Sequence, residues 1–470
     1  MHTDPRTVFA RLATTAAPEN PRRFLGTVCV LGGGIAGLLA ARVLADHADR
    51  VLIIERDSSS ATDGAQWRPG VPQGYQVHGL LPGGRAQLER FFPGIVAQAV
   101  AAGAVHCRPE QTATYVDGVE QIVTPNTDLV TFSRPFLEAL VRQRVLALDN
   151  VVHVIGQVAG LLYGDGAVKA VRWRTASAGE HIQPADFVVD ATGRASRLAN
   201  WLARDGWEPP LMDRIPVDIR YLTARFSRAT DWRGPLNGVF RHSPAFASGG
   251  LAGAAVNAIE HDQWALMLAF FGSGAGEPTT EDFAAWCRVL PEIFQEAIKG
   301  RPLGEVRPYR HADSRWRHFE RLERFPARLA VVGDAVASFN PVYGQGMSSA
   351  ALHASCLSAY LCADPDPDVP AWEFLAAQRV VVEAAWQTST AADAVRLGLA
   401  PAPATDAERT RGWAVRQVTA ASATDVEVAT RLRAVAFMTE HPASLTDHDL
   451  VLRAASINGV PESEYPPSYR

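Results

Sequence analysis

Three glycines, Gly32, Gly34 and Gly37, follow the apolar run at residues 28–31 with G-x-G-x-x-G spacing. In a strand–turn–helix unit the first glycine allows a tight turn, the second lets backbone amides approach a pyrophosphate, and the third lets the helix pack closely on its strand. Amides at the helix N-terminus and the positive end of its dipole stabilise the phosphates. Glu55 ends the next apolar run, roughly 20 residues after the glycines, where an acid accepts hydrogen bonds from ribose hydroxyls and disfavours a 2′-phosphate. The segment therefore predicts a site for FAD or NAD rather than NADPH, the alternative being a glycine-rich turn without a ligand.

A second glycine-rich segment lies far along the chain, at residues 329–347. It predicts a strand that delivers the carboxylate of Asp334, followed by a turn with Gly344 and Gly346 that opens a helix. For Asp334 the alternative is a cap at the end of the strand. The pairing of the two segments predicts one dinucleotide that is held from both ends.

Composition and charge are typical of a large enzyme. At 470 residues, 47% hydrophobic and 20% charged, the chain can bury one extended core or two fused ones. The net charge of −5 argues against a nucleic-acid partner, and no apolar run approaches the roughly 20 residues of a membrane span. Five scattered cysteines without a C-x-x-C pair predict reduced thiols in a cytoplasmic protein. The 13 histidines show no H-E-x-x-H motif, and we therefore expect no metal site. Residues 1–24 are too polar for a signal peptide and are expected to form a loosely held N-terminal extension.

The elements that must position these residues predict an α/β fold with interleaved domains. A Rossmann-type FAD-binding domain is expected over residues 25–205 and 320–365, with an antiparallel-sheet substrate domain over residues 206–319. Residues 366–470 are expected to form a helical C-terminal region.

Individual helices are predicted from apolar periodicity and caps. We expect single helices near 85–103, at 280–299 and at 407–439. Another helix begins at Arg134, where Ser133 is a suitable N-cap and the following proline lies in the first turn.

The order and spacing of the two glycine-rich segments, with residues 190–193 (Asp-Ala-Thr-Gly) between them, resemble the flavoprotein monooxygenases of the para-hydroxybenzoate hydroxylase fold. The resemblance covers most of residues 25–365. Within that superfamily, residues 70–78 and 333–347 look most like the FAD-dependent epoxidases that act on polyene polyketides in polyether antibiotic pathways. The resemblance implies that FAD is the bound dinucleotide.

The resemblance also implies roles for individual residues. Asp334 would hydrogen-bond the ribityl chain of FAD, the backbone of residues 344–347 would lie along the pyrimidine edge of the flavin, and Pro341 would flank the ring where oxygen reacts. Arg134 matches a helix arginine that reaches the FAD phosphates or ribose, and Val158 matches a residue whose backbone contacts the adenine. The alternatives are a surface arginine and a core valine. The predicted cofactor-binding residues are Gly32, Gly34, Ala36, Gly37, Glu55, Arg56, Arg134, Val158, Asp334, Gly346 and Met347, and Pro341, Gly344 and Gly346 flank the flavin ring.

Three positions depart from the family pattern. Residues 192–193 are Thr-Gly where many members have an Asp-Gly pair associated with flavin reduction by NADPH, and an acid stands two places earlier at Asp190. The electron source is therefore either transiently bound NADPH or a separate flavin reductase. Ser348 replaces an asparagine that commonly follows the glycine turn, and residues 75–76 are Tyr-Gln in place of an Arg-His pair.

These features predict an FAD-dependent monooxygenase in which reduced FAD and O2 form a C4a-hydroperoxide that delivers one oxygen atom to an electron-rich carbon. The protein has to exclude water and hold the reacting double bond in place. On the strand predicted at 264–271, Met267 and Phe271 share one face and Phe270 lies on the other. All three are substrate-pocket candidates, with ordinary sheet core as the alternative. The small apolar stretch 249–256 favours an apolar polyketide or isoprenoid as the substrate that is epoxidised or hydroxylated.

Other reactions are weighed against this prediction. Phenol hydroxylation would need a base or hydrogen-bond partner, and Tyr221, His242 and His261 lie in the substrate region without a spacing that singles one out. A halogenase would need a lysine near the substrate, and Lys169 and Lys299 lie elsewhere in the sequence. Two further classes stay open: a non-redox cyclase that uses bound FAD as a scaffold, and a double-bond reductase that does not use O2.

Overall fold

The computed structural model describes residues 4–58, 66–175, 179–242, 250–272, 280–400 and 403–470 of the chain. The α-helices are α1 Pro5–Thr14, α2 Ile35–Ala45, α3 Pro82–Phe91, α4 Ile95–Ala101, α5 Arg134–Leu146, α6 Leu198–Arg204, α7 Thr280–Cys287, α8 Glu292–Ala297, α9 Gly346–Cys362, α10 Trp372–Arg396, α11 Asp406–Ala421, α12 Val426–Ala436 and α13 His448–Ile457. The β-strands are β1 Leu25–Leu31, β2 Ala48–Glu55, β3 Val105–Cys107, β4 Thr112–Val116, β5 Val119–Glu120, β6 Leu129–Thr131, β7 Val151–Ile155, β8 Gln157–Gly164, β9 Ala167–Thr175, β10 Gly179–Pro184, β11 Phe187–Asp190, β12 Met212–Ile215, β13 Ile219–Ser227, β14 Asn237–Arg241, β15 Leu251–Ile259, β16 Gln263–Phe271, β17 Arg307–His311, β18 Ser314–Arg317, β19 Leu329–Val331 and β20 Ala337–Ser338.

Five parallel strands form the sheet that carries the predicted dinucleotide site, in the order β19-β11-β1-β2-β7. β1 is central, with Val30 opposite both Val189 of β11 and Ile53 of β2. Residues 28–31 are fully buried, as expected for a parallel strand that is covered on both faces. The predicted α/β fold with a Rossmann-type parallel sheet is therefore confirmed.

A seven-stranded sheet, in the order β17-β13-β16-β15-β14-β4-β5, contains the predicted substrate region. Its strand pairs are antiparallel, except that β14 and β4 are parallel. One face packs on α7 and α8 through Leu268, Phe283 and Phe294, whereas the other face carries Tyr221 and Met267. β4 and β5 belong to the segment assigned from the sequence to the FAD-binding domain, and the proposed domain boundaries stay a prediction.

Three predicted helices are each interrupted in the structure. The helix expected near 85–103 is split into α3 and α4 at Gly94, which has φ +79° and therefore ends a regular helix. The helix expected at 280–299 is split into α7 and α8 by Pro291, which precedes α8 and cannot continue a helix from α7. The helix expected at 407–439 is split into α11 and α12, the second of which starts at a new N-cap, Asp425. The three predictions were therefore wrong at these breaks, where a glycine, a proline and a new N-cap end or restart the helix.

The N-terminal residues are held more firmly than expected. Asp4 caps α1 by accepting a hydrogen bond from Arg6 N, and Phe9 and Leu12 are each only 1% exposed in the main core. The expectation of a loosely held extension was wrong for residues 5–14, because their two large apolar side chains find a place in that core.

The C-terminal region is helical, as predicted. The helices α11, α12 and α13 share a core cluster of their own that includes Val418, Val428 and Val451. α12 also reaches the rest of the protein, because Asn126 Nδ2 donates to Thr430 O at 3.0 Å. Within the described ranges no helix has the length and apolar character that crossing a membrane requires.

Candidate active site

The predicted cofactor residues lie along the carboxyl edge of the five-stranded sheet. β1 runs into Gly32, β2 ends at Glu55, β19 is followed by Asp334, and β7 leads into Val158, which is partly buried against the core. Because these strands are parallel, their carboxyl ends meet at one edge, which is where ligands bind in open α/β sheets. The structure thus brings together two glycine-rich segments that are far apart in the sequence.

The turn after β1 has the geometry that a pyrophosphate site requires. Gly32 has φ +102°, and a Cβ atom there would lie 2.6 Å from Ala191 O. A Cβ atom on Gly37 would lie 1.9 Å from Gly32 O, so α2 packs directly on the turn. By contrast, a Cβ atom on Gly34, the N-cap of α2, would meet no atom of the described residues within 4 Å. The open space beside Gly34 fits an anionic group that the helix N-terminus would stabilise.

Glu55 is almost fully buried beside this turn. Its Oε2 accepts a hydrogen bond from Gly33 N at 2.7 Å, and its Oε1 accepts one from Asp57 N at 3.0 Å. Arg68 Nη1 lies 3.4 Å from Oε2. These contacts fix the carboxylate, and Oε1, which accepts a single hydrogen bond, keeps a lone pair for a ribose hydroxyl. Arg56, which was predicted at the same site, has an exposed side chain.

Three arginines surround the buried carboxylate of Glu138 on α5. Arg68 Nη2 and Arg142 Nη2 each lie 2.6 Å from Oε1, and Arg134 Nε lies 3.4 Å from Oε2. Burial opposes ionisation, but Arg134 and the other two guanidinium groups hold the pKa of Glu138 below its ordinary value. Arg134 is therefore a largely buried, paired residue and not a surface arginine. The i, i+4 spacing of the residues at 134, 138 and 142 is a sequence signal that could have revealed this cluster.

Asp334 lies in a short 3-10 turn, Gly333–Ala335, that follows β19. Among the residues that the structure describes, its carboxylate has no hydrogen-bond or ion-pair partner. Burial raises the pKa of Asp334, while the charges of Arg134, Arg194 and Arg317 oppose this shift. The turn thus presents an unpaired acceptor for the hydroxyl groups of a cofactor.

Two contacts fix the Asp334 turn against its neighbouring helices. Gly333 has φ +62°, and a Cβ atom there would lie 2.6 Å from Ala36 Cβ on α2. Gly333 N donates to Nδ1 of His353 at 3.0 Å, and Nε2 of the same ring lies 3.4 Å from Ser349 Oγ. Burial lowers the pKa of His353 to about 3, so the ring is neutral and carries its proton on Nε2. The sequence analysis missed His353, whose only signal is a histidine inside a helix of small and apolar residues.

The loop before α9 carries the residues predicted at the flavin edge. Pro341 is exposed, Gly344 has φ +69°, and Met347 is buried in the first turn of α9. A Cβ atom on Gly346 would meet nothing within 4 Å. The open side of Gly346, like that of Gly34, leaves room for a ligand beside backbone amides.

The departure at Ser348 has a packing explanation. Its Oγ accepts a hydrogen bond from Leu81 N at 3.2 Å, and a Cβ atom on Gly84 of α3 would lie 2.5 Å from the same oxygen. α3 and α9 are so close here that the longer side chain of asparagine would not fit in this orientation. Ser348 therefore fixes the segment before α3 and does not face the open side of Gly346.

The other two departures also have partners inside the protein. Asp190 Oδ1 accepts from Thr192 N at 2.9 Å, and its Oδ2 accepts from Ser196 Oγ at 2.5 Å, so this buried acid holds its own turn. Gln76 Oε1 accepts a hydrogen bond from Thr223 Oγ1 on β13. Gln76 thus joins residues 75–78 to the seven-stranded sheet.

The structure separates the three predicted pocket residues of β16. Met267 packs with Tyr221, and Phe271 contacts the same cluster on the face toward the FAD-binding region. Phe270 lies on the opposite face, where the centroid of its ring is 5.5 Å from that of Trp286 on α7. Phe270 is therefore a core residue, which corrects its assignment to the pocket.

A polar network lies beside the face that carries Met267. Tyr221 OH donates to Asn340 Oδ1 at 3.3 Å, and Asn340 Nδ2 donates to Asp393 Oδ2 at 2.9 Å. Arg396 Nη2 lies 3.4 Å from Asp393 Oδ1, and its guanidinium carbon is 3.7 Å from the centroid of the Phe271 ring. The sequence analysis missed this network, in which α10 of the C-terminal region contributes to the site.

No protein-family model matches the sequence, but curated proteins are similar to it over more than two thirds of the chain. Protein Rv3254 of Mycobacterium tuberculosis is 33% identical over 346 residues, which are 70% of this chain and 71% of that protein. The 2-heptyl-3-hydroxy-4(1H)-quinolone synthase of Mycobacteroides abscessus is 28% identical over 380 residues, 77% and 88% of the two chains. The para-nitrophenol 4-monooxygenase of Pseudomonas sp. strain WBC-3 is 26% identical over 363 residues, 72% and 78% of the two chains.

Solved structures share the fold. The p-nitrophenol 4-monooxygenase PnpA of Pseudomonas putida DLL-E4 has a TM-score of 0.63 at 17% identity and covers 89% of this chain and 99% of its own. PqsL of Pseudomonas aeruginosa, a probable FAD-dependent monooxygenase, has a TM-score of 0.60 at 20% identity and covers 79% and 96%. The flavin-dependent brominase Bmp2 has a TM-score of 0.59 at 14% identity and covers 92% and 97%. At these identities the likeness establishes the fold, which monooxygenases and a halogenase share.

Proposed function

Because the chain belongs to the flavoprotein monooxygenases, in the family of Protein Rv3254 of Mycobacterium tuberculosis, we propose that it epoxidises or hydroxylates an apolar polyketide or isoprenoid with one oxygen atom from O2. The observation that carries this proposal is the apolar face around Met267, which is joined to the loop of Asn340 and Pro341 through Tyr221. The resemblance of residues 333–347 to the polyene epoxidases supports epoxidation in particular.

The residues at the sheet edge fit FAD. The open sides of Gly34 and Gly346 leave room beside backbone amides, and none of the described residues pairs with the carboxylate of Asp334. We propose that Gly34 contacts the pyrophosphate, Glu55 the adenine ribose, Arg134 the phosphates or ribose, and Asp334 the ribityl chain. When bound and reduced, FAD supplies the activation of O2 that side chains cannot provide.

The task of the chain's own residues is to exclude water and to orient the reacting double bond. Met267 and Ala269 are 8% and 1% exposed, and both lie in the apolar cluster of this face. The small side chain of Ala255 stands opposite Met267 on the neighbouring strand and belongs to the same apolar face. Such a surface accepts a hydrocarbon better than a charged metabolite. Gly249, which the sequence analysis counted in the same small-residue stretch, lies outside the described residues.

Phenol hydroxylation has less support, because the candidate bases are poorly placed. His242 Nδ1 lies 3.2 Å from Asp117 Oδ1 beyond the end of β14, and His261 is exposed in the turn between β15 and β16. Tyr221 does lie on the apolar face, but burial raises the pKa of its hydroxyl well above the ordinary value. An unactivated alkene requires no side-chain base, which agrees with this arrangement.

The electron source we propose is a separate flavin reductase, with transient NADPH binding as the alternative. Asp190 is the acid nearest to the position of the family's Asp-Gly pair, and both of its oxygens are bound within its own turn.

Five free cysteines, four of them buried, support a reducing, cytoplasmic location.

Turnover with and without O2 tests this function. Full-length, FAD-loaded protein is photoreduced and mixed with a panel of polyene and isoprenoid alkenes, and products are identified by mass spectrometry. We expect a product that is heavier by one oxygen atom and forms only when O2 is present. A product formed with oxidised FAD and no O2 would identify a cyclase, and a product formed anaerobically at the expense of reduced FAD would identify a reductase. Either result would overturn the proposal.

A further inference from the structure

A single row of side chains crosses four strands on the face that carries Met267. Thr114 of β4 stands opposite Val239 of β14, Val239 opposite Ala255 of β15, and Ala255 opposite Met267 of β16. Ala255 and Met267 contact the apolar cluster of this face, whereas Phe240, the next residue after Val239, lies in the core of the opposite face. With about 4.8 Å between neighbouring strands, the row extends roughly 14 Å from Met267 to Thr114.

Arg433 of α12 stands at the far end of this row. Its Nη1 lies 3.4 Å from Thr114 Oγ1, and its guanidinium carbon is 5.9 Å from the centroid of the Phe437 ring. The end of α12 is also tied to the loop before α9, because Gln345 Nε2 lies 3.4 Å from Ala436 O. Arg433, which belongs to the C-terminal region, thus contacts the face of the sheet that carries Met267.

Arg433 is partly buried and forms no ion pair with the described residues. In the described part of the chain, no carboxylate lies within 4.0 Å of the guanidinium group of Arg433 or of Arg241, at the end of β14. Burial lowers the pKa of Arg433, and the charge of Arg241 lowers it further, so the two arginines are electrostatic neighbours. In the cofactor region, by contrast, Arg68 and Arg142 both pair with Glu138. A partly buried guanidinium group that is not paired with a carboxylate can bind an anion through charge-assisted hydrogen bonds.

We infer that Arg433, assisted by Arg241, binds a carboxylate at the end of a long apolar substrate whose reacting carbon lies near Met267. This inference rests on the proposed function and refines its substrate class: the body of the substrate is a hydrocarbon and its far end is an organic anion. The row from Thr114 to Met267 sets a separation of roughly 14 Å between the anion and the reacting carbon.

Binding of matched probes tests this inference without turnover. The probes are decanoate and 1-decanol, titrated into the full-length protein loaded with oxidised FAD and followed by the change in flavin absorbance. We expect the wild type to bind decanoate at least about tenfold more tightly than 1-decanol, because a charge-assisted hydrogen bond to a desolvated arginine is replaced by a weaker one. In Arg433→Met this preference is lost, and the affinity for 1-decanol stays within about twofold of the wild type. Arg416→Met, on the exposed side of α11, is the matched control and keeps the preference.

Thermal unfolding separates ligand binding from a structural role. Removing a partly buried charge that no carboxylate of the described residues pairs with is expected to leave the melting temperature of Arg433→Met unchanged or raised. A lowered melting temperature with an unchanged preference for decanoate would make Arg433 a structural residue and overturn the inference, as would a wild type that shows no preference. Should Arg433→Met fail to fold, Arg241→Met is expected to reduce the preference by a smaller factor, and no reduction would count against the inference. Since these probes require no oxygen transfer, a decanoate preference without any oxygenated product would contradict the proposed function alone.

Discussion

Two glycine-to-alanine substitutions in the first glycine segment should separate cofactor binding from folding. A Cβ atom on Gly34 would meet nothing within 4 Å, and this residue has φ −76° and ψ −178°, which any residue can adopt. A Cβ atom on Gly37 would lie 1.9 Å from Gly32 O. Gly34→Ala should therefore disturb only a ligand beside the turn, whereas Gly37→Ala should disturb the packing of α2 on β1.

The magnitudes follow from these contacts. In the protein without FAD, Gly34→Ala changes an N-cap residue and should lower the free energy of unfolding by about 0.5 kcal/mol or less. Gly37→Ala must move α2 by roughly 1 Å from a rigid backbone turn, and we expect a loss of about 2–3 kcal/mol that the better helix propensity of alanine offsets only in part. If the new methyl group of Gly34→Ala displaces one amide–phosphate hydrogen bond, worth about 1.5–3 kcal/mol, FAD affinity falls about 10- to 150-fold.

The assay combines thermal unfolding of FAD-free protein with titration of FAD by the quenching of flavin fluorescence. Gly412→Ala, in the interior of α11, is the matched control. It should stabilise α11 by up to about 1 kcal/mol and leave FAD affinity unchanged. Wild-type FAD affinity in Gly34→Ala would refute the assignment of the open space beside Gly34 to the pyrophosphate.

Three further predictions concern single side chains. Burial lowers the pKa of His353 to about 3, so the stability that its neutral form contributes to the fold is complete above the unfolded pKa of 6.5 and is lost as pH falls toward 3. Between these pH values, His353→Gln should flatten the pH dependence of the free energy of unfolding by up to about 1.4 kcal/mol per pH unit. An unchanged slope would contradict the assignment of a neutral, buried ring. Asp334→Asn removes a partly buried carboxylate that has no partner among the described residues. FAD affinity should therefore fall at least about tenfold, while the melting temperature of FAD-free protein stays constant or rises. A lower melting temperature would indicate a structural cap. Phe270→Ala should lower the free energy of unfolding by about 3–5 kcal/mol and leave the product distribution unchanged. Met267→Ala, by contrast, should change the product distribution. The reverse pattern would place Phe270 in the pocket.

Local spacing was enough to predict the cofactor edge of the fold. The glycine turn, the strand that ends at Glu55 and the N-cap Ser133 each depend on residues close together in the chain, and the structure contains all three. The parallel sheet then follows from alternating strands and helices.

The rest of the site depends on contacts that no local pattern records. Met267 and Phe270 differ in environment because α7 covers one face of β16, and alternation along the strand cannot say which face that is. Asp393 and Arg433 come from helices far along the chain, and only tertiary packing brings Asp393 to Asn340 and Arg433 to Thr114. His353 supports the Asp334 turn from α9, although nothing in its neighbourhood in the sequence marks it as more than a core residue.

Isotope labelling of the product tests the central claim most directly. The FAD-loaded protein is reduced and supplied with an alkene that it converts, once under ¹⁸O₂ in ordinary water and once under ordinary O2 in H₂¹⁸O. The proposed function predicts that one ¹⁸O atom enters the product from ¹⁸O₂ and none from H₂¹⁸O. Label that comes only from water, or a product without added oxygen, would contradict oxygen insertion by this protein.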